Sequence, residues 1–418
     1  MKYYAFSDTK WNRLLYALFL LALLLLSRDS MYGLTVFGFY PSQAAMLVIL
    51  AVFGLAFLIV QRKHLKEIFT DPRLPALGIF ALLFLLPMIL KRDWQLMYLS
   101  ILLYIAIAVF VSYFTTLART SRAYLAVLSV LSVYAMLATY VIRILPDQGL
   151  ITMPVFENDA GFHFYQMGLS VVSIDFVTMR NFGIFREPGV YQFFVLLGLV
   201  LNNYTAQWEK PWQLWTVNII LGLTMLSTFA TGGIIEMGLL VIFLFWDKKW
   251  YRLKKARILA YAALLALAGA VVWVLVTKNV LYEELIGIFG KFDGENETGS
   301  SRIGSILTDL DIFLHHPILG DSIYNVLHAQ VDNTSSTMIQ YAAFGAVTAS
   351  LHVLAWGALV WDKNRHVLGN LFLMLVLFMG FNTQNFNGNP IFWLFPILAL
   401  VERGLPWVLA RKGKAHGN

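Results

Sequence analysis

Long apolar runs recur from one end of the 418-residue chain to the other, and they constrain its fold more than any other feature. A run of about twenty such residues is enough to cross a bilayer as a helix. In lipid every backbone N–H and C=O must be satisfied within the segment, so these runs fold as helices and not as isolated strands. Twelve spans are predicted, near residues 11–27, 43–60, 74–90, 97–117, 124–145, 188–205, 211–229, 231–247, 257–277, 337–361, 366–381 and 390–405. Composition agrees, with 59% hydrophobic and 13% charged residues. Soluble domains carry roughly 25% charge. The fold class expected is all-α: a polytopic integral membrane protein forming one transmembrane domain over residues 1–418. The first run, Trp11–Leu26, leads into Ser27-Arg28 with no small-residue cleavage site, so it reads as a retained helix. There are no cysteines, which excludes disulfides and thiolate metal ligands.

The net charge of +7 invites a nucleic-acid partner, but its distribution argues for topology. With the N-terminus inside, 22 of the 31 basic residues fall on the inner side. That places both termini in the cytoplasm, and nucleic acid is not expected as a partner. Two long segments, 145–187 and 278–336, then share the outer side. Loops of this length are uncommon unless they do something. Both are rich in aromatic and aliphatic residues, so they are expected to fold over the outer face. Within the second, Ile303, Ile306, Leu307, Leu310, Phe313 and Leu314 follow helical spacing after the capping run Thr298–Ser301. Pro317 and Gly320 stop this amphipathic helix, which is expected to lie along the membrane interface.

The polar residues with chemical potential gather on that outer side. Arg180–Tyr191 reads Arg-Asn-Phe-Gly-Ile-Phe-Arg-Glu-Pro-Gly-Val-Tyr. Pro188 suits the first position of a helix, and Glu187 precedes it at the positive end of the dipole. Arg143, Arg180, Arg186 and Arg302 together can form a cationic pocket, since guanidinium grips phosphate bidentately. The alternative is that they touch lipid headgroups or pair with Asp175, Glu187 or Asp309. Glu187 is the leading general-base candidate, its structural alternative being a helix cap or an arginine partner. Asp332-Asn333-Thr334, just before the span 337–361, is the second polar cluster, with helix capping as its alternative. Glu236 lies inside a span near its outer end and is expected to face the same cavity. Asn382, Gln384, Asn385, Asn387 and Asn389 crowd one outer turn, where sugar binding and turn chemistry explain them equally. His315, His316 and His328 lack ligand spacing, so no metal and no cofactor is expected.

These residues resemble a known family. Arg180-x-x-Gly183-x-Phe185-x-Glu187-Pro188 is similar to the signature that opens a central helix in bacterial O-antigen polymerases. Ser300-Ser301-Arg302, the amphipathic helix, Pro317-Ile-Leu-Gly320 and Asn333-Thr334 … Gly345 resemble the large periplasmic loop of the O-antigen polymerase and ligase superfamily. The resemblance implies a C-type membrane glycosyltransferase of lipopolysaccharide biosynthesis in the bacterial inner membrane. Such a polymerase moves a growing glycan from undecaprenyl diphosphate onto a lipid-linked repeat unit at the periplasmic face. Implied partners are the undecaprenyl-diphosphate-linked oligosaccharide, membrane lipids and a chain-length regulator. Carried onto this chain, Glu187 and Asp332 are the catalytic candidates. Arg143, Arg180, Arg186, Arg302, Tyr191, Asn333 and His328 are the substrate-binding ones. The ligases, which transfer the glycan to lipid A–core, carry a His-Asn pair where this chain has Asp332-Asn333. That departure argues against the ligase alternative. A lipid-linked-sugar flippase or other transporter is expected to carry charge deep in several spans and to show repeat symmetry.

Overall fold

A computed structural model describes residues 10–31, 73–157, 161–175, 179–254, 297–330 and 333–404, with scattered positions at 48–71 and 258–278. The chain is mostly helical. Helices α1 (Lys10–Leu25), α2 (Arg73–Leu90), α3 (Leu96–Phe114) and α4 (Leu117–Leu137) open the bundle. A wider turn and a last short helical turn extend α4 to Asp147. Helices α5 (Pro188–Tyr204), α6 (Pro211–Ser227) and α7 (Thr231–Asp247) follow. Then come α8 (Glu297–His315), α9 (Ile323–His328), α10 (Ser336–Val360), α11 (Val367–Phe381) and α12 (Pro390–Ala399). Four of these runs are long and apolar enough to cross a membrane: α2, α3, Leu117–Asp147 and α10. Six of the other predicted spans hold shorter helices, and 43–60 and 257–277 lie mostly outside the described residues.

Short connections force neighbouring helices to run antiparallel, and their ends separate into two groups. One end carries the turns 115–116, 205–210 and 361–366; there Arg365 pairs with Asp247 at 3.0 Å and rests over the Tyr204 ring. The opposite end, called here the loop end, carries the segments after α1, α2, α4, α6 and α11. Helices α5 and α12 form the centre. All ten residues of α12 are buried, and so are nearly all of those in α5. A helix apolar on every side belongs inside. Phe193 and Phe194 of α5 meet Phe386 and Phe392 there.

The segment 145–187, expected as a folded outer loop, contains the few strands of an otherwise mostly helical chain. It forms a three-stranded antiparallel sheet, β1 (Val155–Glu157), β2 (His163–Met167) and β3 (Ser170–Ser173). Phe164 of β2 is fully buried between Phe156 and Phe182, so the sheet is a packed lid over the loop end.

α8 stops where Pro317 and Gly320 were expected to stop it. Its apolar residues divide between two sides: Phe313 packs on Tyr341 of α10 and Ile312 against the core. Ile306, Leu307, Leu310 and Leu314 are exposed, while Ser305 and Asp309 are buried towards α10. α10 in turn is broken at Gly345, whose φ of 75° and ψ of 177° are not helical. The segment Pro317–Asp321 crosses the break. The Ala346 N–H donates to the Pro317 carbonyl at 2.8 Å, and the Asp321 N–H to the Ala342 carbonyl at 2.7 Å. Backbone groups released by the break are thus satisfied from outside the helix.

Candidate active site

The stretch Arg180–Tyr191 enters the bundle beside the segment that leaves α1. Ser30 and Phe185 form an antiparallel bridge, the Met31 N–H donates to the Ile184 carbonyl, and the Arg186 N–H donates to the Asp29 carbonyl at 3.1 Å. Glu187 then takes an extended conformation ahead of Pro188, which begins α5. Its carbonyl accepts the first helical N–H groups, while its side chain makes no cap. The carboxylate is therefore available to other partners.

The network built on it joins three separate parts of the chain. Arg186 Nη1 donates to Glu187 Oε1 at 3.0 Å, and Arg186 Nη2 to Gln384 Oε1 at 3.2 Å. Gln384 Nε2 closes the triangle by donating to Glu187 Oε2 at 2.9 Å. Arg186 Nε also lies 3.8 Å from Asp29 Oδ1, and Asn389 Nδ2 donates to Asp29 Oδ2 at 2.7 Å. The network is graded in exposure: the side chains of Glu187, Arg186 and Asp29 are 45%, 29% and 3% exposed. Burial raises the pKa of Asp29, against the pull of Arg186 and the Asn389 hydrogen bond. Asp29 is thus the inner anchor, and the Arg186–Glu187 pair is its accessible tip. A fixed guanidinium beside a fixed carboxylate can hold an anionic oxygen and receive a proton within one contact distance.

The other candidates divide. Arg180 spends donors on the carbonyls of Thr228 (Nε, 3.3 Å) and Phe229 (Nη2, 3.3 Å), satisfying groups left open at the end of α6. Arg143 pairs with Asp147 one turn along its helix at 3.0 Å. Tyr191 is buried, donates or accepts with Ser132 Oγ at 2.9 Å and packs against Gly183, so in this arrangement it is a packing residue. His328 is exposed, stacks on Tyr324 at 4.1 Å and has Nδ1 2.8 Å from the Tyr324 carbonyl. Asp332 and the side chain of Arg302 lie outside the described residues.

Asn333 is not the cap of α10. Ser335 and Asn382 take that role, Ser335 Oγ accepting from the Met338 N–H and Asn382 Oδ1 from the Thr337 N–H. Asn333 Nδ2 instead donates to Asp309 Oδ1 at 2.8 Å, joined by Gln330 Nε2 at 3.2 Å. Asp309 is buried and its Oδ2 has no hydrogen-bond partner among the described residues. Burial pushes its pKa up to about 7, against the Asn333 bond. The arginines named as alternatives for Asp175 do not pair with it among the described residues: His163 does, its N–H and ring holding the Asp175 carboxyl below the usual range.

Asp29 is the functional-type residue that sequence reasoning missed. It sits in a short turn after a span, with only Arg28 beside it, and its partners are distant in the chain. The amide-rich turn 382–389 was visible, and bracing accounts for most of it. Asn387 and Gln340 bond each other at 2.6 Å, and Ser336 accepts from the Phe386 N–H. Glu236 does not join the site; it is buried inside the bundle against Gly232 and Gly380. No family model matches the chain, and no curated protein matches it.

Proposed function

We propose that this chain is a repeat-unit polysaccharide polymerase of the bacterial inner membrane, in which the loop end faces the periplasm. The observation that carries the reading is the Arg186–Glu187–Gln384 triangle anchored on Asp29, at the end of the bundle that holds the sheet and α8. The donor is a glycan on undecaprenyl diphosphate and the acceptor is a lipid-linked repeat unit. A hydroxyl oxygen of the acceptor forms a bond to the anomeric carbon of the donor. The bond from that carbon to the diphosphate oxygen breaks, and its electron pair leaves with the diphosphate. Arg186 stabilises the charge that develops on the leaving group. The proton passes to Glu187, whose Oε2 exchanges the Gln384 donor for the acceptor hydroxyl. Asp332, the other base candidate, is the alternative proton acceptor in this scheme. The exposed apolar stripe of α8 supports an interfacial position, where that helix would lie beside lipid-borne substrates.

The experiment is the lipopolysaccharide ladder of cells lacking the gene, complemented with wild type or Glu187→Gln. Deletion leaves core carrying a single repeat unit. The variant fails to restore the ladder at an equal protein level, because loss of a general base costs about 10²–10⁴ in rate. Bare core with polymer held on the lipid carrier would identify a ligase instead. A full ladder from Glu187→Gln would remove Glu187 from the chemistry.

A further inference from the structure

A cavity of about 390 Å³ opens at the loop end between the turn Lys91–Gln95 and helix α9. No described site candidate lines it. Its size falls within the range of ligand pockets, roughly 300–1,000 Å³. The turn is closed by Arg92 N–H to the Ile89 carbonyl at 3.2 Å and Asp93 N–H to the Met88 carbonyl at 3.0 Å. That double bond pattern ends a helix on a left-handed residue, a place usually given to glycine. Here the residue is Arg92, with φ of 53°. The arginine suits the negative end of the α2 dipole, and it also brings a guanidinium to the cavity wall.

The facing wall is braced. The Tyr324 N–H donates to Asp93 Oδ2 at 3.1 Å, the Ile323 N–H donates to the Tyr98 hydroxyl at 3.3 Å, and Lys91 Nζ lies 3.8 Å from Asp321 Oδ1. Two aromatic residues stand exposed on these fixed backbones, Trp94 at 68% and Tyr324 at 50%. The His328 ring backs Tyr324. Between them, Asn325 Nδ2 donates to Asp321 Oδ2 at 2.8 Å, and the pair keeps a second amide N–H, an amide oxygen and carboxylate lone pairs as directional donors and acceptors. Lys91 and Arg92 are balanced by Asp93 and Asp321, so the lining is formally neutral. A phosphate or an anionic headgroup asks for net positive charge. Flat apolar faces flanked by hydroxyl-matching groups in a neutral cavity suit an uncharged sugar.

The geometry points to a saccharide-binding subsite in which Trp94 and Tyr324 stack on sugar rings and Asn325 and Asp321 bond their hydroxyls. As the acceptor-glycan subsite of a polymerase it rests on the function proposed above; as a saccharide pocket it does not.

The test uses the full chain in neutral-lipid nanodiscs. The probe is the free oligosaccharide released by mild acid from the lipid-linked glycans of the source cells. Saturation-transfer NMR reads contact with the sugar ring protons. Wild type binds, and Trp94→Ala and Tyr324→Ala weaken binding about tenfold, as loss of a stacking ring predicts. Trp212→Ala, an exposed tryptophan at the opposite end, binds like wild type. No binding by wild type, or equal binding by all four proteins, overturns the pocket. So does loss of the wild-type signal when anionic lipid replaces neutral lipid, which would assign the cavity to headgroups. Binding that follows Trp94 and Tyr324, together with a ladder untouched by gene deletion, keeps the pocket and removes the polymerase.

Discussion

Arg186 divides its guanidinium among Glu187, Gln384 and Asp29, and this sharing sets what each partner can do. A guanidinium that already holds two carboxylates is fixed in direction, so an incoming oxygen meets a preset donor. Arg186 and Glu187 were legible in the sequence because they stand side by side at a proline-opened helix. The contacts of Gln384 with that pair and of Asn389 with Asp29 were not, because they join residues 198 and 360 positions apart. Asp309 shows the opposite economy: a buried carboxyl with one oxygen unpartnered among the described residues. Its pKa stands at about 7 in the fold against 3.8 unfolded. Ionisation is therefore penalised in the folded state, and stability falls as pH rises from about 4 to about 7. Asp309→Asn removes that fall. Its unfolding free energy should match wild type near pH 4 and exceed it at pH 8 by on the order of 4 kcal/mol, with a higher thermal midpoint there. A gap independent of pH in a detergent melting series would refute this.

Among the elements, α10 carries the most demanding geometry. A Cβ on Gly345 would collide with the backbone of Ile318, and one on Gly320 with the backbone of Ala343. Both residues also need positive φ. Gly345→Ala should cost several kcal/mol and lower the folded yield sharply, as strain compounded with backbone overlap does. Size-exclusion chromatography of the solubilised protein reads this directly, and a monodisperse wild-type yield would refute it. Pro317, Gly320 and Gly345 were visible in the sequence as punctuation, but their mutual contact was not. The strands β1–β3 were also hidden. They run three to five residues, too short for alternation to stand out, and only a folded loop was expected there. Helix α8 was legible from its spacing, but the packing of Phe313 against Tyr341 was not. Periodicity finds the apolar face of a helix but does not say whether protein or lipid covers it.

For the whole molecule, the separation of helix ends turns sequence order into sides. The end opposite the sheet carries Lys210, Lys248, Lys249, Lys363 and Arg365, which is the charge pattern that topology demands. The chain has no cysteine of its own, so a single introduced thiol reports its side without background. In intact cells a membrane-impermeant maleimide should label Leu150→Cys, in the exposed loop before β1, and leave Lys363→Cys unlabelled until the cells are opened. Reversed labelling would put the Glu187 network in the cytoplasm and defeat the proposed function. Helix placement was readable from sequence because lipid makes long apolar runs conspicuous. What packs beside what was not, since nearly every helix here is apolar enough to sit anywhere in the bundle.

The break at Gly345 also has a mechanical meaning. A rod clasped from the side at one joint acts as a bracket with two arms. The upper arm, Ser336–Phe344, is tied to α8 and to the turn at Asn382, and the lower arm packs with α11 and α12. Load applied to α8 from outside therefore reaches the bundle along two routes, the clasped joint at Gly345 and the amide-rich turn that braces the upper arm.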